Sequence, residues 1–226
     1  MLGKYYTSPE VLPLGDSVVH RQRASRSLYL ASKRALAILL ILAVAPASIV
    51  TIIILAFLVR LDGGKAFFGQ PRLGKDGKVF TLWKLRTMVP NAEQRLEEYL
   101  QQNPDARLEW DRTQKLRNDP RVTRIGWYLR RHSLDELPQI WNVFLGEMSL
   151  VGPRPMCPEQ RSAYPGTAYF DMCPGLTGLW QISDRNCCSF AERALHDTHY
   201  AQIMSFRTDM RILLRTFVVV LQGTGV

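Results

Sequence analysis

ALAILLILAVAPASIVTIIILAFLV, from Ala35 to Val59, runs for twenty-five residues without a charge between Lys33-Arg34 and Arg60. About 20 apolar residues are enough for a helix to cross roughly 30 Å of hydrocarbon, so this segment places the chain at a membrane. A cleavable signal peptide starts earlier, is shorter and ends in small residues. A buried helix of a soluble core is the competing reading, which the length and unbroken apolar composition disfavour. Pro46, near the middle, removes one helical hydrogen bond and crowds the turn before it. It leaves halves of eleven and thirteen residues, each only about 16–20 Å long as helix and too short to cross alone. A simple span also carries its positive charge on one side, whereas here both flanks are basic. The expectation is therefore a proline-broken re-entrant membrane helix over residues 33–60 that enters and leaves on one face. Ser48 and Thr51 lie close enough to partner backbone groups freed at the break.

The distribution of charge supports that placement. Residues 1–34 carry six Lys/Arg against two acids, residues 60–90 carry seven against two, and residues 91–226 carry sixteen of each. The whole net charge of +9 thus flanks the apolar segment. A nucleic-acid binder would carry its surplus on the folded body, so no nucleic-acid partner is expected. Basic flanks beside an apolar run suit anionic lipid headgroups. Residues 1–32, rich in Ser, Arg and Pro with no sustained period, read as a mobile basic arm. Residues 61–226 have the length of one domain. Cys157, Cys173, Cys187 and Cys188 form no C-x-x-C pair, and with His196 and His199 they match no zinc spacing. They read as reduced thiols.

Within the domain, Asp76-Gly77 marks a hairpin turn inside FFGQPRLGKDGKVFTLWKLRTM. The following strand puts Phe80, Leu82, Lys84 and Arg86 on one face. Two cations side by side suit an anionic ligand, and equally suit a basic strand edge that resists aggregation. NAEQRLEEYLQQ, from Asn91, has helical spacing and stops at Asn103-Pro104. Residues 105–116 suggest another exposed helix, and helix resumes around 122–129. LPQIWNVFLGEMSLVG has the large apolar side chains and few charges of a helix at a bilayer surface, and DMRILLRTFVVVLQG reads as either a core helix or a second interfacial one. The fold expected is α+β: mostly helical and monotopic, with interfacial amphipathic helices and a small β-hairpin or sheet.

Arg130-Arg131-His132-Ser133-Leu134-Asp135-Glu136 carries the chemistry. Adjacent carboxylates beside fixed cations suit reaction at a phosphate, one acid attacking or holding a metal while arginines neutralise oxygens. The tetrapeptide alone also has the spacing of a capping box, Ser133 to Glu136. Pro138 is best tolerated in a first turn, which moves the expected helix start to Asp135. There, free N–H groups would keep the carboxylate ionised. CPGLTGLWQISDRN adds a short strand-like run and then a polar loop with Gln181, Asp184, Arg185 and Asn186.

Taken together, FFGQPRLGKDGKVFTLWKLRTM, RNDPRVTRIG, SLDELPQIWNVFLGEMSLVGPRP, PGLTGLWQIS and DTHY, in this order, resemble the bacterial sugar transferases. These are small monotopic phosphoglycosyl transferases, and the nearest in pattern are the exopolysaccharide-initiating ones. The resemblance covers Lys33 to about Leu221. It implies transfer of a hexose-1-phosphate from a UDP-sugar to undecaprenyl phosphate with Mg2+, at the bacterial inner membrane with the catalytic domain on the cytoplasmic face. By similarity Asp135 is the nucleophile and Glu136 the second acid, the pair that would meet the metal. Lys84, Arg86, Arg130 and Arg154 match phosphate-cradling cations, and Gln181, Arg185 and Asp197 fall in segments tied to nucleotide or sugar recognition. Membrane lipids are the implied surroundings, and a homo-oligomer is compatible with the pattern. The chain departs from the family at Ala37, at Ala45 before Pro46, at Cys173 where arginine is common, and at Asp184 before Arg185. The last two favour an alternative, a membrane-anchored interaction protein of the same fold with impaired turnover.

Overall fold

The computed structural model describes residues 16–113, 116–183 and 190–221. Its first element, α1 (Asp16–Arg60), is a single 45-residue helix with Pro46 inside it. Helix reaches back to Asp16 through much of the segment read as an arm, because no Gly or Pro interrupts Asp16–Ala45. Helical structure also runs through Pro46, and Thr51 Oγ1 donates to Ala47 O at 2.9 Å within the helix. One window of α1, Arg26–Arg60, is long and apolar enough to cross a membrane, and it is almost wholly outside the protein core.

Both ends of α1 nevertheless rest on the same body. Ala37 and Ile41 are buried with Phe80, Leu82, Val143 and Met148, and the Arg34 guanidinium donates to the carbonyls of Val143 and Phe144. At the other end Val59 packs with Ala66, Leu85 and Leu129. Between them Leu42, Val44, Ile49, Val50, Ile53 and Ile54 are exposed.

The hairpin forms as its sequence indicates. β1 (Phe67–Leu73) pairs antiparallel with β2 (Val79–Leu85) in the register Phe67 opposite Leu85. Asp76 and Gly77 both take positive φ, 58° and 73°, the left-handed pair that a tight hairpin needs. Leu82 and Leu85 are buried, and Lys84 reaches to the side. α2 (Ala92–Gln102) and α3 (Pro104–Thr113) form an outlying helical pair. α4 (Arg124–Arg131) is capped by the Thr123 hydroxyl, which accepts from Gly126 N at 2.9 Å.

After α4 comes a short 3-10 turn, Leu134–Glu136, then α5 (Gln139–Leu145). The long apolar stretch is not one helix. Gly146 takes φ 87° and its N–H bonds back to Asn142 and Val143, ending α5 as a left-handed glycine does. The chain then forms β3 (Ser149–Val151), parallel to β4 (Gly175–Thr177). This pair is held by bare backbone. A Cβ on Gly175 would fall 2.1 Å from Gly152 N, and one on Gly178 would fall 2.1 Å from Gly152 O. No side chain fits between the VGPRP and PGLTG segments, which explains why both are written with glycine. α6 (Leu179–Ile182), α7 (Phe190–Ile203) and α8 (Phe206–Leu221) complete the body. α7 and α8 cover β3 through Val151, Met172, Tyr200 and Ile212.

Where α1 enters the body, Lys33 Nζ contacts Asp209 Oδ2 at 3.0 Å and donates to Tyr200 Oη at 2.7 Å. Tyr29 and Tyr200 each donate to an oxygen of Asp209, at 2.7 and 2.6 Å. This polar knot ties the helix to α7 and α8.

Candidate active site

The 3-10 turn positions the two carboxylates. Ser133 sits in the left-handed region at φ 54° and makes no side-chain cap bond, so the capping box is absent. The strained position of Ser133 turns the chain sharply after α4, and Leu134 anchors the turn beside Leu129 and Leu85. Pro138 lies immediately before α5, not at the start of a helix containing Asp135. The helix start therefore falls four residues later than the sequence suggested, with the dyad on a separate turn in front of it.

Asp135 is buried, with its side chain 11% exposed, and Glu136 is less so at 22%. Lys84, from β2, reaches both: its ammonium is 2.7 Å from Glu136 Oε1 and 3.7 Å from Asp135 Oδ2. Burial pushes the Asp135 pKa above the ordinary carboxylate range, with Lys84 and Arg130 pulling it back and Glu136 adding to the rise. A backbone hydrogen bond at Asp135 favours the charged form, as expected of free N–H groups, but desolvation is the larger influence on the direction of the shift. Arg130, on α4, donates from Nε to Thr87 Oγ1 at 2.9 Å and faces the fields of Asp135 and Asp119.

A cleft of about 290 Å³ opens beside the pair. Lys84, Glu136, Arg154, Gln181, Gly175 and Leu176 are among the residues that line it. Arg154 follows directly on the β3 segment that the glycine contact holds against β4.

A family model described as bacterial sugar transferase matches residues 28–223. The chain belongs to the bacterial sugar transferase family. It is 44% identical over 223 residues, 98% of its length, to the UDP-galactose-lipid carrier transferase of Erwinia amylovora. It is 44% identical over 197 residues to the exopolysaccharide production protein ExoY of Sinorhizobium fredii. It is also 44% identical over 175 residues, 76% of its length, to the undecaprenyl-phosphate galactose phosphotransferase of Salmonella typhimurium. The chain spans 46% and 37% of the Erwinia and Salmonella proteins but 87% of ExoY.

In this sugar transferase the residues singled out from sequence divide into three groups. Glu136, Lys84, Arg154 and Gln181 line the cleft, Asp135 adjoins it through its contact with Lys84, and Arg130 interacts electrostatically with Asp135. Arg86 departs from expectation: its guanidinium donates at 2.8 Å to each of the carbonyls of Lys65, Met88 and Val59. It ties the C-terminal end of α1 to the segment that follows β2, and it is not among the residues that line the cleft. Asp197 does not line it either: its Oδ2 accepts from Tyr164 Oη at 2.8 Å, and burial raises its pKa to about 6. Arg185 and Asp184 lie outside the described residues.

Sequence reasoning passed over Arg72 and Gln139, which also line the cleft. Arg72 follows Pro71 on β1, and its contribution depends on the hairpin register, which brings it opposite Phe80. Cys173 is not among the cleft-lining residues, and its Sγ lies 4.0 Å from Gly146 O.

Proposed function

We propose that this sugar transferase moves a hexose-1-phosphate from a UDP-sugar to undecaprenyl phosphate, with Asp135 as the covalent nucleophile. The observation that carries this reading is the contact of Lys84 with both members of a buried Asp-Glu pair. A carboxylate that attacks a diphosphate must approach like charge, so it needs fixed cations around the reacting phosphorus. Lys84, Arg154 and Arg72 supply them in the cleft. A carboxylate poor in water is also a stronger nucleophile than a hydrated one, which fits the burial of Asp135.

The reaction is a double displacement. An Asp135 carboxylate oxygen forms a bond to the sugar-bearing phosphorus, the bond from that phosphorus to the bridging oxygen breaks, and UMP leaves with the electron pair. A phosphate oxygen of the polyprenyl acceptor then attacks the same phosphorus. The acyl-phosphate bond breaks, the Asp135 carboxylate is restored, and a diphosphate-linked lipid is released. One site thereby serves a soluble donor and a membrane-bound acceptor in turn.

Mg2+ fits the donor set, since this ion takes one or two carboxylates and completes its shell with water and substrate phosphates. Asp135 and Glu136 would hold it, and it would neutralise charge on the donor diphosphate.

The membrane arrangement belongs to the same proposal. The stretch from Ile41 to Val59 would measure about 27 Å as a straight helix. The strand residues whose clusters they join, Leu82 and Leu85, are only about 10 Å apart along β2. This supports a bend at Pro46 that returns α1 to the face it left. Exposed Trp141, Phe144 and Leu145 on α5, and Leu214, Phe217 and Val218 on α8, suit helices lying at the lipid surface. With a nucleotide-sugar donor, the body sits on the cytoplasmic face of the inner membrane.

The test is UMP release across a panel of UDP-sugars with undecaprenyl phosphate and Mg2+, joined to intact-protein mass spectrometry. An adduct heavier by one phosphosugar is expected on wild-type protein and absent from Asp135→Asn. Full activity in Asp135→Asn would end the proposal.

A further inference from the structure

Arg193, on α7, was singled out by no motif, yet it is joined to the cleft wall in two ways. Its guanidinium lies 4.9 Å from the ring centre of Trp180, and its Nη2 donates to Arg154 O at 3.4 Å. Arg154 in turn places its own guanidinium 5.7 Å from the same indole. Two cations thus share one aromatic ring, and only Arg154 lines the cleft.

We propose that Arg193 is a positioning residue for the donor diphosphate, acting through Arg154. The inference rests on the proposed donor chemistry and extends it to a residue outside the cleft. The backbone of the Arg154 segment is fixed by Pro153, Pro155 and the bond from Gly175 N to Pro153 O at 2.8 Å. What remains to be set is the direction of a long, flexible side chain. Trp180 gives that guanidinium a flat surface, and Arg193 fixes the indole and the Arg154 carbonyl together. A cation–π contact of this kind is enough to favour one rotamer of the Arg154 side chain.

The charges agree with this role. Burial and the neighbouring Arg154 both disfavour the Arg193 cation, while Asp197 supports it. Asp197 is held in turn by the Tyr164 hydroxyl. Two neighbouring guanidiniums that repel each other gain when an anion binds at one of them. Arg193 therefore raises the affinity of Arg154 for phosphate oxygens without lining the cleft itself.

The experiment is a double-mutant cycle on the full chain in detergent, with UDP binding read by calorimetry and UDP-sugar KM and kcat read by UMP release. Arg193→Gln is expected to weaken UDP binding and raise KM about tenfold while kcat changes by less than about threefold. In an Arg154→Gln background the same substitution should add little, because its effect passes through Arg154. Arg193→Lys, which keeps the charge, should recover part of the loss, and it carries the test should Arg193→Gln fail to show a melting transition. Unchanged UDP affinity in Arg193→Gln, or losses that simply add in the double variant, overturns the inference. A wild-type protein that binds UDP with this coupling but releases no UMP would overturn the proposed reaction alone. One that does not bind UDP overturns both.

Discussion

Lys84 Nζ stands 2.7 Å from Glu136 Oε1 but 3.7 Å from Asp135 Oδ2. The two carboxylates are neighbours in sequence and unequal in environment. Glu136 takes the short ion pair and the greater exposure, whereas Asp135 is more buried and less directly neutralised. Such a division separates roles within the dyad: the partly satisfied acid is suited to hold charge in place, and the desolvated one to react.

Asp135→Asn should therefore separate activity from stability. Removing the nucleophile is expected to lower UMP release by at least about a thousandfold. The fold should not suffer in proportion, because the amide no longer carries the charge that burial disfavours at Asp135. Thermal melting within a few degrees of wild type, or above it, alongside lost turnover is the expected pair of results. A large drop in melting temperature would mean that the carboxylate is structural.

Arg86 makes the opposite case. Its guanidinium serves the carbonyls of Val59, Lys65 and Met88, and a hydrogen bond to a charged group contributes about 1.5–3 kcal/mol net of exchange with water. Arg86→Gln is expected to lower stability by about 2 kcal/mol and to loosen the end of α1, seen as faster proteolysis near Arg60. UDP-sugar KM should move by no more than about twofold. A rise in KM with unchanged melting would return Arg86 to the phosphate site.

The contrast between Lys84 and Arg86 marks the limit of the sequence. The Asp76-Gly77 turn signal and the apolar run after it correctly gave a hairpin with its turn at that pair. They could not say that Arg86 lies beside the end of α1, because that contact depends on where a distant helix returns. The dyad was legible as a pair with nearby cations. Its setting was not: Ser133 at positive φ cannot be read from a tetrapeptide that also fits a cap. β3 was hidden because three residues carry no period and because the stretch through Gly146, which ends α5, was read as one helix. Arg193 was missed because its importance lies in a shared indole from another helix.

The knot at the entry of α1 gives a third prediction. Lys33 and Asp209 are 14% and 10% exposed at the side chain and meet at 3.0 Å. Lys33→Met leaves a buried carboxylate without its cation, which costs about 3–5 kcal/mol. Lys33→Met with Asp209→Asn removes both charges and keeps the tyrosine hydroxyls as donors, so it should cost less than the single change. Melting temperatures of the two single variants and the double variant check this, and a double variant as unstable as the sum of the singles would refute it.

Asp197 gives a pH dependence of definite sign. Its pKa is raised from 3.8 to about 6, chiefly by burial, with the Tyr164 hydrogen bond and Arg193 opposing the rise. Between those two values the folded protein holds the proton that the unfolded chain releases, so stability increases as pH falls from above 6 toward 4. Above pH 6 the ionised group costs the fold about 3 kcal/mol relative to a carboxyl with the ordinary value. Asp197→Asn cannot ionise, and its amide oxygen can still accept from Tyr164. The variant is expected to lose this part of the acid-side gain, so its melting temperature rises less than that of wild type between pH 7.5 and 4.5. Melting curves at half-unit pH intervals on both proteins decide the matter, and identical slopes would show that Asp197 is not the group that titrates there.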